Sequence, residues 1–233
     1  MLEVAHLDAF YGQAQILHDV ALKVERGEAL ALLGRNGAGK STTLRAIMAQ
    51  GPRRTGTIRF LGRDVSALPT HDLVRAGLGY VPEDRRIFTD LTVMENLEVG
   101  RRPARSGLTP WTVERLFALF PNLAEMRRRR GAEMSGGEQQ MLTLARTLMG
   151  NPLMLLLDEP SEGLAPRIVE QMAQAVTVLK ADGLSILLCE QNLHFARLIC
   201  DRANIIARGG IVFGGSFAAL DQDAARRDSL LSV

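Results

Sequence analysis

Long apolar segments are missing from this sequence of 233 residues. No stretch without a charged residue is longer than about a dozen residues, whereas an α-helix needs about 20 to cross a bilayer. The first eight residues also lack the basic and apolar regions of a secretory signal peptide. We therefore expect a cytoplasmic protein that meets a membrane only peripherally, through a partner.

Cysteine is scarce as well, since Cys189 and Cys200 are the only two, and their spacing matches no metal site. We interpret both as buried thiols in a reducing compartment, which excludes a disulfide framework. The formal net charge of +2 gives no argument for nucleic acid. The four arginines at 127–130 have no interleaved aromatic residues on which bases could stack, so we interpret them as a solvated face. We expect no nucleic-acid partner.

What the sequence does contain is a complete phosphate-loop motif, G-x-x-x-x-G-K-[ST], between an apolar run and a helix-like segment. Its glycines let the backbone wrap an anion, and the loop amides and the helix N-terminus supply partial positive charge. Lys40 can reach the β- and γ-phosphates, and the hydroxyl of Ser41 can bind Mg²⁺. The chain is therefore predicted to bind a nucleoside triphosphate with Gly34, Asn36, Gly37, Ala38, Gly39, Lys40, Ser41 and Thr42.

A second motif, Ser135-Gly136-Gly137, opens a predicted helix. Ser135 and Glu138 have the spacing of a capping box, which explains part of the motif by helix initiation alone. It does not explain two glycines in the first turn, because each weakens a helix by up to about 1 kcal/mol. We interpret the glycines as giving another group access to the amides of a positive helix end, which would make a second anion site.

Two adjacent carboxylates, Asp158 and Glu159, follow the apolar run at 153–157, which predicts a parallel strand covered on both faces. Ligands of open parallel sheets lie beyond the carboxyl ends of the strands, so both side chains should point towards the nucleotide. Asp158 suits the Mg²⁺ shell, and Glu159 suits a residue that orients and deprotonates the attacking water.

The remaining patterns predict one α/β domain over residues 1–233 with a mainly parallel core sheet. Alternating segments at 2–10 and 16–24 predict an N-terminal antiparallel β subdomain, and residues 84–151, approximately, read as an inserted α-helical subdomain. The tail from about 216 to 233 is predicted to be helical and peripheral. Tyr11, near the end of the first strand, either packs on the sheet or stacks on a purine ring, and its spacing leaves both possibilities open.

These motifs, in this order, resemble the ATP-binding subunits of ABC transporters over nearly the whole chain. The resemblance implies an ATPase that works as a head-to-tail dimer. ATP on the phosphate loop of one subunit is then covered by Ser135, Gly136 and Gly137 of the other. Tyr11 is similar to the adenine-stacking aromatic residue of the family.

Several segments narrow the resemblance to branched-chain amino acid importers, and in particular to the shorter of their two ATPase subunits. Urea and short-chain amide importers are similar in the same segments, so the solute stays open. The segments are residues 80–88, 91–97, 134–142, 159–166 and 190–192. The implied partners are a second ATPase subunit (a related chain or a second copy), two transmembrane permeases and, indirectly, a periplasmic solute-binding protein.

Three positions depart from the general ABC pattern. Glu83 stands where most members have a glutamine that senses Mg²⁺, and its extra negative charge must be balanced by the metal or a basic neighbour. Gln191 replaces the usual switch histidine; it can donate a hydrogen bond to the γ-phosphate but cannot carry a proton. Ala165 replaces an aspartate that crosses the dimer interface. His194, near Gln191, is interpreted as a surface residue of a helix.

The resemblance thus implies catalytic roles for Glu159, Lys40 and Gln191, and a Mg²⁺ shell of Ser41, Asp158 and Glu83. Two alternatives explain less of the sequence. An ABC ATPase without a transporter usually has two ATPase domains or a long coiled coil, and neither fits in 233 residues. A GTPase or small-molecule kinase would leave Ser135-Gly136-Gly137 unexplained, and no N-K-x-D string for reading guanine occurs.

Overall fold

Two β-sheets, one antiparallel and one mainly parallel, frame the phosphate loop in the computed structural model, which describes residues 1–105, 107–222 and 229. The strands are β1 (Leu2–Tyr11), β2 (Ala14–Val24), β3 (Ala29–Leu33), β4 (Arg53–Phe60), β5 (Arg63–Asp64), β6 (Leu78–Val81), β7 (Met154–Asp158), β8 (Ser185–Glu190), β9 (Arg202–Ala207) and β10 (Gly210–Ser216). The helices are α1 (Lys40–Ile47), α2 (Thr70–Ala76), α3 (Val93–Gly100), α4 (Val113–Leu119), α5 (Pro121–Glu125), α6 (Gly136–Leu148), α7 (Pro166–Ala181), α8 (Leu193–Ile199) and α9 (Phe217–Asp221), with a 3₁₀ turn at Gly131–Glu133.

The antiparallel sheet has the order β2-β1-β4-β5, which confirms the two predicted N-terminal strands. Alternating burial along β1 and β2 places one face of each strand in the core, as the period-2 sequence pattern predicts. Strand β4 begins at Arg53 and ends at Phe60. Gly56 in this strand has φ +102°, and a Cβ there would lie 2.2 Å from the carbonyl oxygen of His6, so the position requires glycine.

The second sheet has the order β10-β9-β3-β8-β7-β6, in which only β10 pairs antiparallel to its neighbour. Every residue of β3, β7 and β8 is buried, because helices and the antiparallel sheet cover both faces. These three neighbouring strands run in parallel, so their carboxyl ends meet at one edge. That edge holds the phosphate loop after β3 and the two carboxylates at the end of β7.

The predicted helical insert occupies the chain between the neighbouring strands β6 and β7, where α3, α4, α5 and α6 follow one another. Its boundaries at 84–151 stay a prediction. Trp111, Leu116 and Phe120 of the insert belong to the same apolar core as Leu155 and Leu157 of β7. The insert therefore shares its packing with the main sheet, and α6 connects the two.

Several smaller predictions are confirmed. Cys189 and Cys200 are free and buried, and the arginines at 127–130 are exposed. Strands β9 and β10 pair with each other as an antiparallel hairpin. Helix α9 lies within the predicted tail, but most of the residues beyond it lie outside the described ones, so the tail stays a prediction. Within the part of the chain that is described, no helix is both long and apolar enough to span a bilayer.

Candidate nucleotide site

The phosphate loop turns from buried β3 into α1 and lines a cavity of about 470 Å³. Gly37 and Gly39 have φ of +76° and +115°, which allows the tight turn. The cavity is lined by Tyr11, Ile16, Asn36, Gly37, Gly39, Lys40, Ser41, Thr42, Glu83 and Glu159. Gly34 and Ala38 pack behind the loop instead, where a Cβ on Gly34 would lie 2.5 Å from the carbonyl oxygen of Ile206. Those two residues shape the loop without facing the cavity.

Lys40 is held by oxygen atoms on several sides although its side chain is only 2% exposed. Its Nζ donates to the carbonyl oxygens of Gly34 at 2.8 Å and Arg35 at 3.0 Å. It also lies 3.0 Å from Oε1 of Glu159, which forms a buried ion pair. The other oxygen of Glu159 accepts a hydrogen bond from Nε2 of Gln191 at 2.8 Å. The three residues predicted to be catalytic are thus in direct contact.

The carboxyl group of Glu159 is held in its charged form. Burial alone would raise its pKa, but hydrogen bonds with Glu162, Gln191 and Lys40 outweigh burial and leave the pKa below its usual value. The backbone of Glu159 has φ +45°, an uncommon conformation for a residue other than glycine, and its N–H donates to the carbonyl oxygen of Cys189 at 2.9 Å. The charged, fixed carboxylate is suited to accept a proton from water.

Asp158 is buried at the end of β7 and has a hydrogen-bond donor on each oxygen. The hydroxyl of Ser41 donates to Oδ1 at 2.8 Å, and the hydroxyl of Tyr80 donates to Oδ2 at 2.9 Å. Burial raises the pKa of Asp158 above its ordinary value. Tyr80 was not predicted as a site residue. Its position near the end of the strand before Glu83 could have suggested a site residue. The sequence does not show, however, that β6 pairs with β7, and this pairing is what brings Tyr80 to Asp158.

Ser41, Asp158 and Glu83 offer the hard oxygen donors that Mg²⁺ prefers. Glu83 lines the cavity, and no ion pair to it occurs among the described residues, so its charge remains available for a cation. The same portion of the chain holds no cluster of three or more His, Cys, Asp or Glu side chains that could bind a metal alone. This fits Mg²⁺, which is commonly held by one or two carboxylates together with phosphate oxygens.

Two further carboxylates at this edge were missed by the sequence analysis. Glu190 is buried at the end of β8 and accepts hydrogen bonds at 3.1 Å from the backbone N–H groups of Ser161, Gln191 and Asn192. It therefore fixes the segments that follow β7 and β8. Glu162 lies one turn beyond Glu159, and its backbone N–H donates to the carbonyl oxygen of Glu159 at 3.1 Å.

The Ser135-Gly136-Gly137 motif forms the predicted capping box at the start of α6. The side chain of Glu138 accepts from the Ser135 N–H at 2.7 Å, and the Ser135 hydroxyl accepts from the Glu138 N–H at 3.4 Å. The three motif residues are not among those that line the phosphate-loop cavity. This separation within one chain agrees with a role for the motif at a second subunit's loop.

The glycines of this motif also have a packing role that the sequence analysis did not anticipate. A Cβ on Gly136 would lie 2.7 Å from Nη1 of Arg85, and a Cβ on Gly137 would lie 2.8 Å from Cγ2 of Ile168. A larger residue at Gly137 would have to displace the branched side chain of Ile168, whereas at Gly136 it would only have to displace the end of the flexible Arg85 side chain.

Comparison with known proteins identifies the family. The ABC transporter family matches residues 17–162, which is more than half of the chain. The chain is 40% identical to the high-affinity branched-chain amino acid transport ATP-binding protein BraG of Pseudomonas aeruginosa, over 99% of both chains. The chain belongs to the ABC transporter family. Within it, the protein is an ATP-binding ATPase subunit.

Other relatives of this ABC ATPase include a second branched-chain amino acid transport protein and a lipopolysaccharide export protein. It is 33% identical to the probable branched-chain amino acid transport ATP-binding protein LivF of Archaeoglobus fulgidus, over 93% of this chain and 92% of the relative. It is 35% identical to the lipopolysaccharide export system ATP-binding protein LptB of Haemophilus influenzae, over 93% of this chain and 90% of the relative. Its fold matches a nucleotide-free ATP-binding cassette from an ABC transporter with a TM-score of 0.82 and 23% identity, over 100% and 97% of the two chains.

Three other residues singled out in the sequence lie at or near the surface of this ABC ATPase. Tyr11 lines the cavity, is 41% exposed and lies beside Gly51, so its ring is accessible to a base. His194 is exposed on α8 and does not line the cavity, which agrees with a surface residue. Ala165 is exposed immediately before α7, where it supplies no side-chain cap.

Proposed function

We propose that this ABC ATPase energises an importer of branched-chain amino acids. The strongest support is the 40% identity to BraG across 99% of both chains, and the match to LivF supports the same assignment. The sequence segments that resemble urea and short-chain amide importers leave those solutes as the competing outcome. The match to LptB makes an export system a further outcome that the experiment below can detect.

The arrangement of Lys40, Glu159 and Gln191 supports a defined hydrolytic step. Lys40 and the loop amides would stabilise negative charge on the γ-phosphoryl group as its bond to ADP breaks. Glu159, charged and fixed, would accept a proton from the attacking water, while Gln191 holds its second oxygen. Mg²⁺, held by Ser41, Asp158 and Glu83, would neutralise phosphate charge.

The ion pair between Lys40 and Glu159 suggests how nucleotide binding prepares this step. In the structure, each charge satisfies the other in a buried position. A γ-phosphate within reach of Lys40 would compete with Glu159 for its ammonium group, since both are oxyanions. Glu159 would then be released to face the water. ATP binding would therefore assemble the catalytic base as well as the substrate.

A second subunit is needed to complete the site in this proposal. The motif at the start of α6 presents Ser135 and a positive helix end, which would cover the phosphates bound to the partner's loop. The partner is a related ATPase or a second copy of this chain. Binding of ATP would close the dimer, and hydrolysis would let it open.

A surface groove of about 300 Å³ is suited to receive a transmembrane permease. It lies beside Pro82, immediately before Glu83, and among its lining are Phe88 and Val99, two apolar side chains that are 48% and 52% exposed. Exposed apolar side chains grouped in a concave surface are typical of protein interfaces. The groove would connect the permease to the segment that carries Glu83, and the ATPase would lie on the inner membrane face through that contact.

Uptake measurements test the solute assignment. The gene is deleted and uptake of radiolabelled leucine, isoleucine and valine is compared with uptake of urea and acetamide. We expect loss of branched-chain amino acid uptake, restored by the wild-type gene and not by a Glu159→Gln copy. Loss of urea or amide uptake alone would assign the competing importer class. Normal uptake of all of these solutes with a defect in the cell envelope would overturn the import proposal.

A further inference from the structure

Tyr80 connects the metal-binding carboxylate to a second tyrosine through an arginine. The Tyr80 hydroxyl donates to Oδ2 of Asp158 at 2.9 Å. The guanidinium of Arg45, on α1, lies beside the phenol oxygens of both Tyr80 and Tyr11 and interacts with each. Tyr11 in turn lines the nucleotide cavity. The charge of Arg45 thus acts on both the tyrosine at the position proposed for adenine and the tyrosine bonded to the carboxylate proposed for Mg²⁺.

The direction of the hydrogen bond between Tyr80 and Asp158 is fixed by chemistry. The positive charge of Arg45 attracts the phenol oxygens of both tyrosines. The Tyr80 hydroxyl donates to Asp158, because an ionised carboxylate can only accept. The nearby charge of Arg45 polarises the Tyr80 hydroxyl, which strengthens its bond to Asp158.

The Tyr80 bond leaves the other oxygen of Asp158 in a defined place. Oδ1 faces Ser41 at the end of the phosphate loop, whereas Oδ2 is fixed on the side of β6. A buried carboxylate with only one partner could rotate about χ2, because that torsion is broad. With a donor on each oxygen, the carboxyl plane is set before a metal arrives. Partners that orient a metal ligand in this way typically contribute 10–100-fold to metal affinity.

We propose that Tyr80, supported by Arg45, is a positioning residue that presents the carboxylate of Asp158 to Mg²⁺. This inference rests on the proposed role of Asp158 in the metal shell. Tyr80 touches neither nucleotide nor metal in this proposal and acts only through Asp158. Arg45 acts through Tyr80 and gives the same support to Tyr11.

Equilibrium nucleotide binding tests the inference without relying on turnover. Binding of a fluorescent, non-hydrolysable ATP analogue to the purified full-length chain is measured in EDTA and then during titration with Mg²⁺. For Tyr80→Phe, which removes only the hydroxyl, the Mg²⁺ concentration at half-saturation should rise about 10-fold, while affinity in EDTA stays within a factor of about two. A merely structural role would change both conditions together.

Thr147→Val is the matched control. The Thr147 hydroxyl donates to the Tyr80 carbonyl oxygen at 3.5 Å and to Thr143 at 2.9 Å, so its removal disturbs the same strand without reaching Asp158. Its Mg²⁺ titration should match that of the wild type. An equal shift in Thr147→Val and Tyr80→Phe would overturn the inference.

Arg45→Met provides the second variant. It should shift the Mg²⁺ titration in the same direction but less than Tyr80→Phe, and the double variant should resemble Tyr80→Phe alone because Arg45 acts through Tyr80. If Tyr80→Phe does not fold, as judged by thermal unfolding, an unchanged Mg²⁺ titration in Arg45→Met would overturn the inference. If the wild type binds the analogue equally with and without Mg²⁺, the proposed metal role fails. If the wild type requires Mg²⁺ for tight binding and Tyr80→Phe shows the same requirement, the inference about Tyr80 is refuted while the proposed metal role stands.

Discussion

Lys40 and Glu159 form an ion pair with 3.0 Å between Nζ and Oε1, and their side chains are only 2% and 6% exposed. The pair joins the phosphate loop after β3 to the strand end of β7. Two opposite charges buried together depend on each other, because either one alone would remain uncompensated in a poorly solvated position. A phosphate that takes over Lys40 must therefore be accompanied by a rearrangement of Glu159, which connects substrate binding to the position of the base.

Replacing Glu159 separates binding from hydrolysis. Glu159→Gln keeps a side chain of the same shape that can still accept a hydrogen bond from Lys40, but it removes the base. We expect ATP binding to persist and turnover to fall by about 10²–10⁴-fold. Steady-state phosphate release and equilibrium ATP binding measure the two properties. Glu125→Gln, exposed at the end of α5, is the matched control and should hydrolyse ATP normally. Near-normal hydrolysis by Glu159→Gln would refute the assignment.

Mixed dimers can show whether Ser135 acts on the partner's loop. In one dimer, Lys40→Ala and Ser135→Ala are in the same protomer, and in the other they are in different protomers. If Ser135 acts across the interface, the first dimer has no intact site and the second has one. We therefore expect ATPase activity only in the second dimer, isolated with two affinity tags. The opposite result would show that Ser135 serves its own chain.

The capping role of Ser135 requires a control of its own. Loss of an N-cap lowers the stability of a protein by about 1 kcal/mol, whether or not the helix has a functional role. Thr92 forms an equivalent capping box at the start of α3 with Glu95. Thr92→Ala in place of Ser135→Ala should leave activity in both mixed dimers. A similar loss in both variants would indicate destabilisation rather than a missing phosphate contact.

Glu83 should make metal-free nucleotide binding weaker and metal-bound nucleotide binding stronger. Its carboxylate lines the cavity without an ion-pair partner among residues in the described ranges, so it repels phosphates when no cation is present. Glu83→Gln should raise affinity for ATP in EDTA and increase the Mg²⁺ concentration needed for half-maximal ATPase activity. Asp84→Asn, whose carboxylate pairs with Arg86 at 2.8 Å, is the control from the same loop. Unchanged Mg²⁺ dependence in Glu83→Gln would contradict a metal role.

The groove beside Pro82 should matter to transport and not to hydrolysis by the isolated subunit. Phe88 is 48% exposed and stacks against the guanidinium of Arg146, with 5.1 Å from Cζ to the ring centre. Phe88→Ala should therefore lower solute uptake in cells while ATPase activity of the purified chain stays close to normal. Leu108→Ala is the control, since Leu108 is 50% exposed but lies outside this groove. Equal uptake by both variants would exclude Phe88 from the permease contact.

Much of this arrangement is predictable from the sequence because its signals are local. The apolar run before Lys40 and the one before Asp158 predict two buried parallel strands, and these are β3 and β7. The capping box at Ser135 can likewise be recognised from four consecutive residues, 135–138. Such patterns depend on the period of a strand or the first turn of a helix.

Contacts between distant segments were not predictable in the same way. The order of β3, β8, β7 and β6 brings Gln191 to Glu159 and Tyr80 to Asp158, and strand order has no local sequence signal. The contact of Arg85 with Gly136 has the same origin. The anion-binding role of the two glycines stays a prediction, and their neighbours Arg85 and Ile168 come from other parts of the chain.

Glu162 should give the nucleotide-free protein a specific pH dependence. Its hydrogen bond with Glu159, together with burial and the charge of Glu159, raises the pKa of Glu162 from 4.5 to about 7. The folded state thus holds this proton more tightly than the unfolded chain does. The stabilisation from Glu162 is complete below a pH of about 4.5 and is lost as the pH rises through about 7.

Thermal unfolding of the wild type and Glu162→Gln between pH 4.5 and 8 measures this effect. Glutamine cannot titrate, so the difference in midpoint, wild type minus variant, should be largest at the acidic end and should decrease towards neutral pH. Glu170→Gln, exposed on α7, is the control and should follow the wild-type curve in parallel. A difference that stays constant, or that grows with pH, would show that Glu162 does not share a proton with Glu159. Addition of ATP should reduce the difference, because Glu159 would then leave this contact to face the attacking water.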